Sequence, residues 1–308
     1  MHLAEGVLPL SQAVVWSALA APAVLWSLRG EQLARRDGEP SAVIMAGATS
    51  LLFAATLLPL PVPVVGATSH ICLTPVLALM VGVRRMVWPA FFVLLLQAVF
   101  FAHGGLTTLG INTLALGLTG PLATVGLWSL LRRVGAENRL GLGLACGAGG
   151  LVVYVVDAGV LAMGLSDTVA PSTTFFGVLL GFAPVQVPLA LLEAVASAGL
   201  VGFLATRRPD LLPQSLRTLR SAAIPGAATG AALLAMLGLS GCTYEGIDGT
   251  VFGTTAENAG RPPADSHLDL SQGEMGLAMS VVILFGFGFI AGRVWEGMFG
   301  RDRRALPR

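Results

Sequence analysis

Residues 140–164 read LGLGLACGAGGLVVYVVDAGVLAMG, and this stretch decides the class of fold. A membrane-spanning helix needs about 20 consecutive, predominantly apolar residues. The run is long enough, and Asp157 is its only formally charged residue. Its glycines and alanines are the small residues that let membrane helices pack closely. The stretch therefore predicts a transmembrane helix inside a tight bundle.

The composition of the whole chain agrees with this interpretation. The 308 residues are 55% hydrophobic and 11% charged, with a mean hydropathy of +0.79. Soluble domains carry about 25% charged residues. The three cysteines show neither a disulfide framework nor a zinc motif. We expect an all-α integral membrane protein of the inner (plasma) membrane, surrounded by lipid and without a nucleic-acid partner.

Other apolar runs predict further helices, and the total is about nine spans, arranged as seven plus two. The predicted helices lie near 9–28, 42–60, 71–83, 86–102, 112–131, 140–164, 175–205, 221–241 and 273–298. The segment 71–83 is short for a span, which indicates either a tilted helix or misplaced boundaries.

The charged residues predict the orientation. The chain has no lysine, so all 18 basic residues are arginines. Basic residues accumulate in cytoplasmic loops. With nine spans and the N-terminus outside, every arginine except Arg261 falls on the cytoplasmic side, as does the C-terminus. All four histidines then lie at or beyond the outer face: His2, His70, His103 and His267. Such a face, which also carries eight of the 17 acidic residues, would concentrate a divalent cation.

The first nine residues, MHLAEGVLP, predict a metal site. They have neither the basic region nor the cleavage site of a signal peptide, so we expect them to remain on the protein. The Met1 amine, the His2 amide nitrogen and the His2 imidazole can form fused chelate rings around one divalent metal. A second imidazole, which the bundle would supply from His70, completes a planar N4 set that suits Ni(II) or Cu(II). The alternative is that His2 is an ordinary exposed residue near a disordered terminus.

Two acids, Asp157 and Glu193, lie inside predicted spans. Ionisable groups in a membrane are costly and usually mark a function or a polar partner. Glu193 follows the helix-distorting Pro188, which favours a structural role for its carboxylate. The two acids also support two rival hypotheses: a proton-coupled secondary metal transporter, and an intramembrane enzyme that would use the acids with a histidine.

Four stretches in order carry a resemblance to one protein family. They are residues 1–9, Thr68-Ser69-His70, residues 97–112 (QAVFFAHGGLTTLGIN, followed by Gly117 and Gly120-Pro121), and Pro188-Leu189-Ala190 with Glu193, closing at residues 208–212 (RPDLL). The chain resembles the substrate-capture membrane subunit of energy-coupling-factor (ECF) cobalt and nickel importers.

The resemblance implies a ligand set. In that family the amine of residue 1, the amide and imidazole of residue 2, and a histidine before helix 3 bind the metal; those residues here are Met1, His2 and His70. His103 is implied to be a neighbour of the ligands at most, together with Ser69 and Asn112. Residues 71–75 (ICLTP) depart from the glycine-rich run usual there, which puts the packing beside the ligand in doubt.

The resemblance also implies the domains and the partners. Residues 1–212 correspond to the seven-helix capture domain, and residues 213–308 to a small two-helix accessory subunit with an outer loop at 242–272. The implied partners are a transmembrane coupling component and two cytoplasmic ATPase subunits. The chain itself has no phosphate-binding glycine-lysine motif, so we expect that it does not hydrolyse ATP, and the resemblance implies a non-catalytic subunit rather than an enzyme. Ni(II) or Co(II) would be the transported substrate, and no cofactor is expected.

Overall fold

The computed structural model describes residues 2–36, 41–58, 60–62, 67–219, 245–265, 268, 270 and 273–299. The helices are α1 Leu10–Arg36, α2 Ser41–Leu57, α3 Thr74–Val81, α4 Val83–Phe100, α5 Leu109–Leu114, α6 Gly120–Arg133, α7 Arg139–Gly164, α8 Pro171–Arg207, α9 Gln214–Arg217, α10 Thr254–Asn258 and α11 Gly273–Phe299. Single turns of π-helix at Ala115–Thr119 and Gly249–Gly253 precede α6 and α10, and a 3₁₀ turn at Pro209–Leu211 follows α8.

The protein is an all-α multi-pass membrane protein. Among the described residues, six helices are long and apolar enough to cross a membrane: Leu10–Arg36, Val83–Phe100, Leu109–Arg133, Arg139–Gly164, Pro171–Arg207 and Gly276–Gly297. A shorter apolar helix, Ile44–Leu57, adds to them. The predicted helix at 221–241 lies outside the described residues. The total of nine spans and the orientation in the membrane therefore stay predictions.

The bounds predicted for the helix at 71–83 were wrong. Helix α3 has eight residues, a rise of about 12 Å, whereas the hydrocarbon core is about 30 Å thick. Leu73 adopts a left-handed backbone with φ 52°, which prevents the helix from starting earlier. Gly82, at φ 91°, separates α3 from α4. The non-helical residues before α3 lie inside the protein, the only place where a membrane tolerates irregular backbone.

Other helix boundaries moved by a few residues. Helix α1 continues past its predicted end at 28 as far as Arg36. Its last turns are stabilised by Glu31, whose carboxylate accepts from Arg35 and pairs with Arg85 of α4, each at 2.9 Å. Helix α8 begins at Pro171, before the predicted 175, because proline suits the first position of a helix.

The glycines of α7 allow close packing against α8. A Cβ atom on Gly143 would lie 2.9 Å from the carbonyl oxygen of Ala194, and one on Gly147 would lie 2.7 Å from that of Ala190. Real side chains do not tolerate such distances. The glycine-rich first part of α7 therefore forms the surface against which α8 packs.

The arginine-bearing ends of neighbouring helices meet. Arg84, at the start of α4, donates to the carbonyl oxygen of Trp26 in α1 at 3.0 Å. Arg139, at the start of α7, donates to the carbonyl oxygen of Leu219 at 3.2 Å. This end is called the arginine end below. The three described histidines meet elsewhere, beside the far ends of the same helices.

A small sheet lies before α3, where the sequence predicted only a loop. Strand β1 (Leu60–Val62) pairs antiparallel with β2 (Ala67–Ser69), and β2 pairs parallel with β3 (Glu245–Gly246). Strand β3 comes from the C-terminal third of the chain. The sheet therefore joins that part of the chain to the residues that immediately precede His70.

Candidate metal centre

The stretch from His2 to Leu8 has no regular secondary structure, yet it lies inside the protein. Leu3 and Val7 have no exposed surface, and His2 is 3% exposed. Asn112 of α5 binds both backbone groups of Leu3: its Oδ1 accepts from the Leu3 N–H at 3.0 Å, and its Nδ2 donates to the Leu3 carbonyl at 3.1 Å. The hydroxyl of Thr108 donates to the same carbonyl at 2.6 Å. These bonds replace those that a helix would make.

Glu5 holds the stretch from the other side. Its carboxylate accepts from the backbone N–H of Leu106 at 2.6 Å and from that of Thr107 at 3.2 Å. A Cβ atom on Gly105 would lie 2.6 Å from the backbone nitrogen of Glu5. A glycine at 105 is therefore required for the two segments to approach, and this explains part of the run at 97–112.

His70 is positioned by the end of β2. The hydroxyl of the preceding Ser69 lies 3.3 Å from the Tyr154 hydroxyl and accepts from Nε2 of Gln186 at 3.1 Å. Nδ1 of His70 lies 3.4 Å from the carbonyl oxygen of Ile71. A proton on Nδ1 would point toward this carbonyl, which leaves Nε2 as the metal-binding nitrogen.

His103 reaches the same place through a sharp turn. Helix α4 ends at Phe100, earlier than the predicted 102, and the N–H of His103 donates to the carbonyl of Gln97 at 3.1 Å. Ala102 and Gly104 on either side have φ angles of 47° and 86°.

The three imidazoles of His2, His70 and His103 form one cluster. Each residue offers a ring nitrogen, and these atoms lie within 4.8 Å of one another. Ring centroids are 5.0 Å apart for His2 and His70, 4.8 Å for His2 and His103, and 5.6 Å for His70 and His103. Three of the four histidines placed on one face by the sequence therefore meet. Met1 and His267 lie outside the described residues.

The cluster is electrostatically prepared for a cation. Burial lowers the pKa of His70 well below its usual value, and burial lowers the pKa of His103 to about 3. Both rings are consequently neutral at physiological pH. Only neutral imidazole binds a metal, so no proton has to leave either ring first.

The C-terminal segment contacts the N-terminal stretch that carries His2. The N–H of His2 donates to Oδ2 of Asp248 at 3.3 Å, and the N–H of Ala264 donates to the carbonyl of Glu5 at 2.9 Å. Phe252 is fully buried, with its ring centroid 4.5 Å from that of Phe182 in α8. Residues 245–265 therefore contact both the proposed ligand and the bundle.

The two intramembrane acids are not members of the cluster, although Glu193 lines the same small cavity as His70. Glu193 accepts from the backbone N–H of Leu73 at 2.8 Å and from that of Cys72 at 3.4 Å. Its partners are thus backbone amides just before α3, in agreement with a structural role for this carboxylate. Asp157 is fully buried, and neither of its carboxylate oxygens has a hydrogen-bond partner among the described residues.

Sequence reasoning missed several residues of the site. Thr108 lies within the motif at 97–112, where a hydroxyl before a predicted helix was a usable signal. Tyr154 and Gln186 lie in apolar helices without a spacing that marks them. Asp248 is separated from His2 by 246 positions, and a parallel strand pairing brings the two together.

Comparison with known proteins identifies the family of the chain. The family described as the cobalt uptake substrate-specific transmembrane region (CbiM) matches residues 2–211. A cobalt transport protein CbiM of Sorangium cellulosum is 41% identical over 230 residues, which cover 74% of this chain and all of the relative. One of Geobacter sulfurreducens is 35% identical over 327 aligned positions, covering 99% of this chain and 91% of the relative.

Solved structures share the fold. A truncated transition metal transporter superposes with a TM-score of 0.55 at 19% identity, covering 67% of this chain and 99% of its own. A second transition metal transporter gives a TM-score of 0.54 at 19% identity, covering 67% of this chain and 93% of its own. The chain belongs to the CbiM family of cobalt uptake transmembrane proteins, and it is a component of a metal transporter.

Proposed function

We propose that this chain is the substrate-capture component of an ECF-type importer, and that it binds Ni(II) or Co(II) at the end of the bundle opposite the arginine end. The single observation that carries the proposal is the cluster of imidazoles from His2, His70 and His103, whose ring nitrogens lie within 4.8 Å of one another. Imidazole is a suitable ligand for divalent transition metals, so a metal ion accounts for three histidines that share one space.

The primary ligands in this proposal are the Met1 amine, the amide nitrogen and imidazole of His2, and the imidazole of His70. The buried position of His2 supports the set, because a chelate needs its backbone to be held in one conformation. Asn112, Thr108 and Glu5 supply that restraint through Leu3 and the loop at 105–107. Ser69 has the corresponding role for His70.

Transport requires further subunits in this proposal. A transmembrane coupling component and two cytoplasmic ATPases would supply the energy for inward release, since this sequence has no nucleotide-binding motif. A proton-coupled secondary transporter is the rival hypothesis, and the buried carboxyl of Asp157 is the observation that favours it. Uptake by this chain alone, in cells that lack the coupling component, would select the rival.

The principal test replaces one ligand. We expect His70→Ala to abolish metal capture by the purified protein, measured as bound nickel and cobalt by mass spectrometry, because the remaining nitrogens leave the N4 set incomplete. His267→Ala is the matched control, since the proposal gives that histidine no role. Both variants are compared with the wild type for helical content and monodispersity. Wild-type metal content in a folded His70→Ala protein would refute the site.

We also propose that residues 1–212 form the capture domain and that residues 213–308 form an accessory domain that seats the N-terminal stretch. The bonds from His2 to Asp248 and from Ala264 to Glu5 support this role. The relative from Sorangium cellulosum, whose full length aligns with 230 residues, supports an independent first domain.

The division is tested by separating the two domains. We expect residues 1–212, expressed with the partner subunits, to import metal more slowly than the full chain. Co-expression of residues 213–308 as a second chain should restore part of the rate, because the contacts do not need a covalent link. Full uptake by residues 1–212 alone would remove the proposed role of the accessory domain.

A further inference from the structure

Nε2 of His103 is a buried polar atom with no hydrogen-bond partner among the described residues. The great majority of buried side-chain polar atoms have such a partner, and each exception calls for an explanation. This nitrogen belongs to the ring that lies 4.8 Å from the His2 ring, centroid to centroid. A metal ion bound to this nitrogen would be such a partner.

The backbone around His103 is shaped to place the ring there. Ala102 has a φ of 47°, an uncommon conformation for a residue with a side chain. Gly104 has a φ of 86°, and a Cβ atom on it would lie 3.4 Å from Cβ of His2. Unusual backbone conformations of this kind collect at functional sites, where the surrounding structure maintains them. Here the turn brings His103 against His2.

The spacing of the rings matches three imidazoles on one metal ion. With metal–nitrogen distances of about 2.0–2.1 Å, two bound imidazoles place their ring centroids about 4.5 Å apart at a right angle and about 5.5 Å apart at 120°. The three observed separations are 4.8, 5.0 and 5.6 Å. Equatorial and axial imidazoles stand at about a right angle, so all three rings can reach one ion if the His70 and His103 rings approach each other by about 1 Å.

The ring planes distinguish the roles. The chelate formed by the His2 amide and imidazole keeps that ring close to the plane of the four nitrogens. An imidazole that binds along the axis must stand perpendicular to this plane, because its metal–nitrogen bond lies in its own ring. The His103 ring makes an angle of 86° with the His2 ring, whereas the His70 ring makes 31°. The 31° angle therefore excludes His70 from the axial position, whereas His103 has the orientation that an axial ligand requires.

We propose that His103 is a fifth, axial ligand of the transported metal, and that it adapts the planar N4 set to Co(II). This inference rests on the proposed function, since it adds a ligand to the same site. A planar N4 set by itself suits Ni(II) and Cu(II), and the general order of affinities also places Co(II) below both metals. An axial nitrogen favours the metal that keeps five or six ligands, which is Co(II), over planar Ni(II).

The test reads the coordination directly. X-ray absorption at the nickel edge shows a resolved pre-edge peak for a planar Ni(II) ion without axial ligands, and the peak disappears when an axial ligand binds. We expect the nickel-loaded wild type to lack this peak. The His103→Ala variant should keep one nickel ion per protein and show the peak.

The affinities give an independent measure. Removing His103 should weaken Co(II) binding about tenfold or more, which is the usual effect of mutating groups around a metal site. It should weaken Ni(II) binding less. His103→Asn is the second variant, in case the alanine variant fails to fold. An equal loss for both metals would refute the role in selectivity.

The wild-type spectrum can refute the axial ligand even if no variant folds. A planar peak in the nickel-loaded wild type would overturn the axial assignment and leave the proposed function intact. A wild-type protein that binds neither nickel nor cobalt would refute the proposed function, and this inference with it.

Discussion

The N-terminal stretch 2–8 and helix α11 differ in both regular secondary structure and burial, and the irregular one is the buried one. The N-terminal stretch has no regular structure, yet Leu3 and Val7 have no exposed surface. Helix α11 is regular over 27 residues, yet Phe285 is 74% exposed and Val282 is 63% exposed. One region is irregular and enclosed, whereas the other is regular and open.

The difference follows from where each backbone finds its hydrogen bonds. A helix satisfies its own N–H and C=O groups, so α11 can face lipid. An irregular segment must find partners elsewhere, and the N-terminal stretch finds them in Asn112, Thr108 and Asp248. Such a costly arrangement is maintained because it leaves the nitrogens of His2 in a defined position. The comparison therefore predicts that small changes matter greatly at the N-terminus and little on the outer face of α11.

The largest effect should come from a single residue added before Met1. This addition converts the Met1 amine into an amide and moves the new amine away from the metal. The side chains of His2 and His70 remain, but the fused chelate is lost. We expect metal uptake to fall to background, whereas a terminal tag on an ordinary protein is usually harmless.

The matched control carries the same addition after Arg308. We expect uptake of this protein to equal that of the wild type when both are assayed with the partner subunits. Equal uptake by the two tagged proteins would mean that the Met1 amine is not a ligand, and the enclosed N-terminal stretch would then need another explanation.

A smaller effect is expected from Asn112→Leu, which keeps the approximate volume of the side chain and removes its polar groups. The N–H of Leu3 loses its acceptor, and the Leu3 carbonyl loses one of its two donors. A buried polar group left without a partner costs about 1–3 kcal/mol. We expect lower thermal stability and a metal affinity about 10- to 100-fold weaker, as for groups that position ligands.

Thr113→Val is the matched control for this change. Thr113 is the next residue of α5, it is also fully buried, and its hydroxyl has no hydrogen-bond partner among the described residues. The valine variant should bind metal like the wild type. If both variants bind metal equally well, the restraint of Leu3 does not matter for the site.

The same comparison shows what the sequence could predict. Apolar runs gave the membrane class and most long helices, because a span needs only length and apolarity. They gave the wrong bounds for α3. Residues 71–73 are apolar, but Leu73 has a left-handed backbone, which a hydropathy pattern cannot show. The histidines could be placed on one face by counting helices, and three of them do meet.

The detailed arrangement of the site could not be predicted from the sequence. The sequence assigned His103 a place beside the ligands, but its ring lies in the cluster because Ala102 and Gly104 turn the chain after α4. Asp248 reaches His2 because β3 pairs with β2. Both results depend on long-range backbone geometry rather than on local residue patterns. The roles of Met1, His2 and His70 as ligands stay predictions.

The smallest effect should come from the outer face of α11. Phe285 is exposed, whereas Phe287 on the other face stacks on Phe53 of α2 at a centroid distance of 4.1 Å. Lipid chains are as apolar as the side chains they contact, so Phe285→Leu exchanges one apolar surface for another. We expect its effect on stability to stay within about 0.5 kcal/mol, as for most surface substitutions.

Phe287→Leu is the paired change on the same helix, and it removes the stacked ring contact, which contributes about 0.5–1.5 kcal/mol beyond simple burial. In lipid nanodiscs, the unfolding temperature of Phe287→Leu should therefore be lower than that of both Phe285→Leu and the wild type. Uptake with the partner subunits should be normal for Phe285→Leu, because lipid covers that face. A loss of uptake in this variant, with stability unchanged, would instead mean that another subunit docks on the outer face of α11.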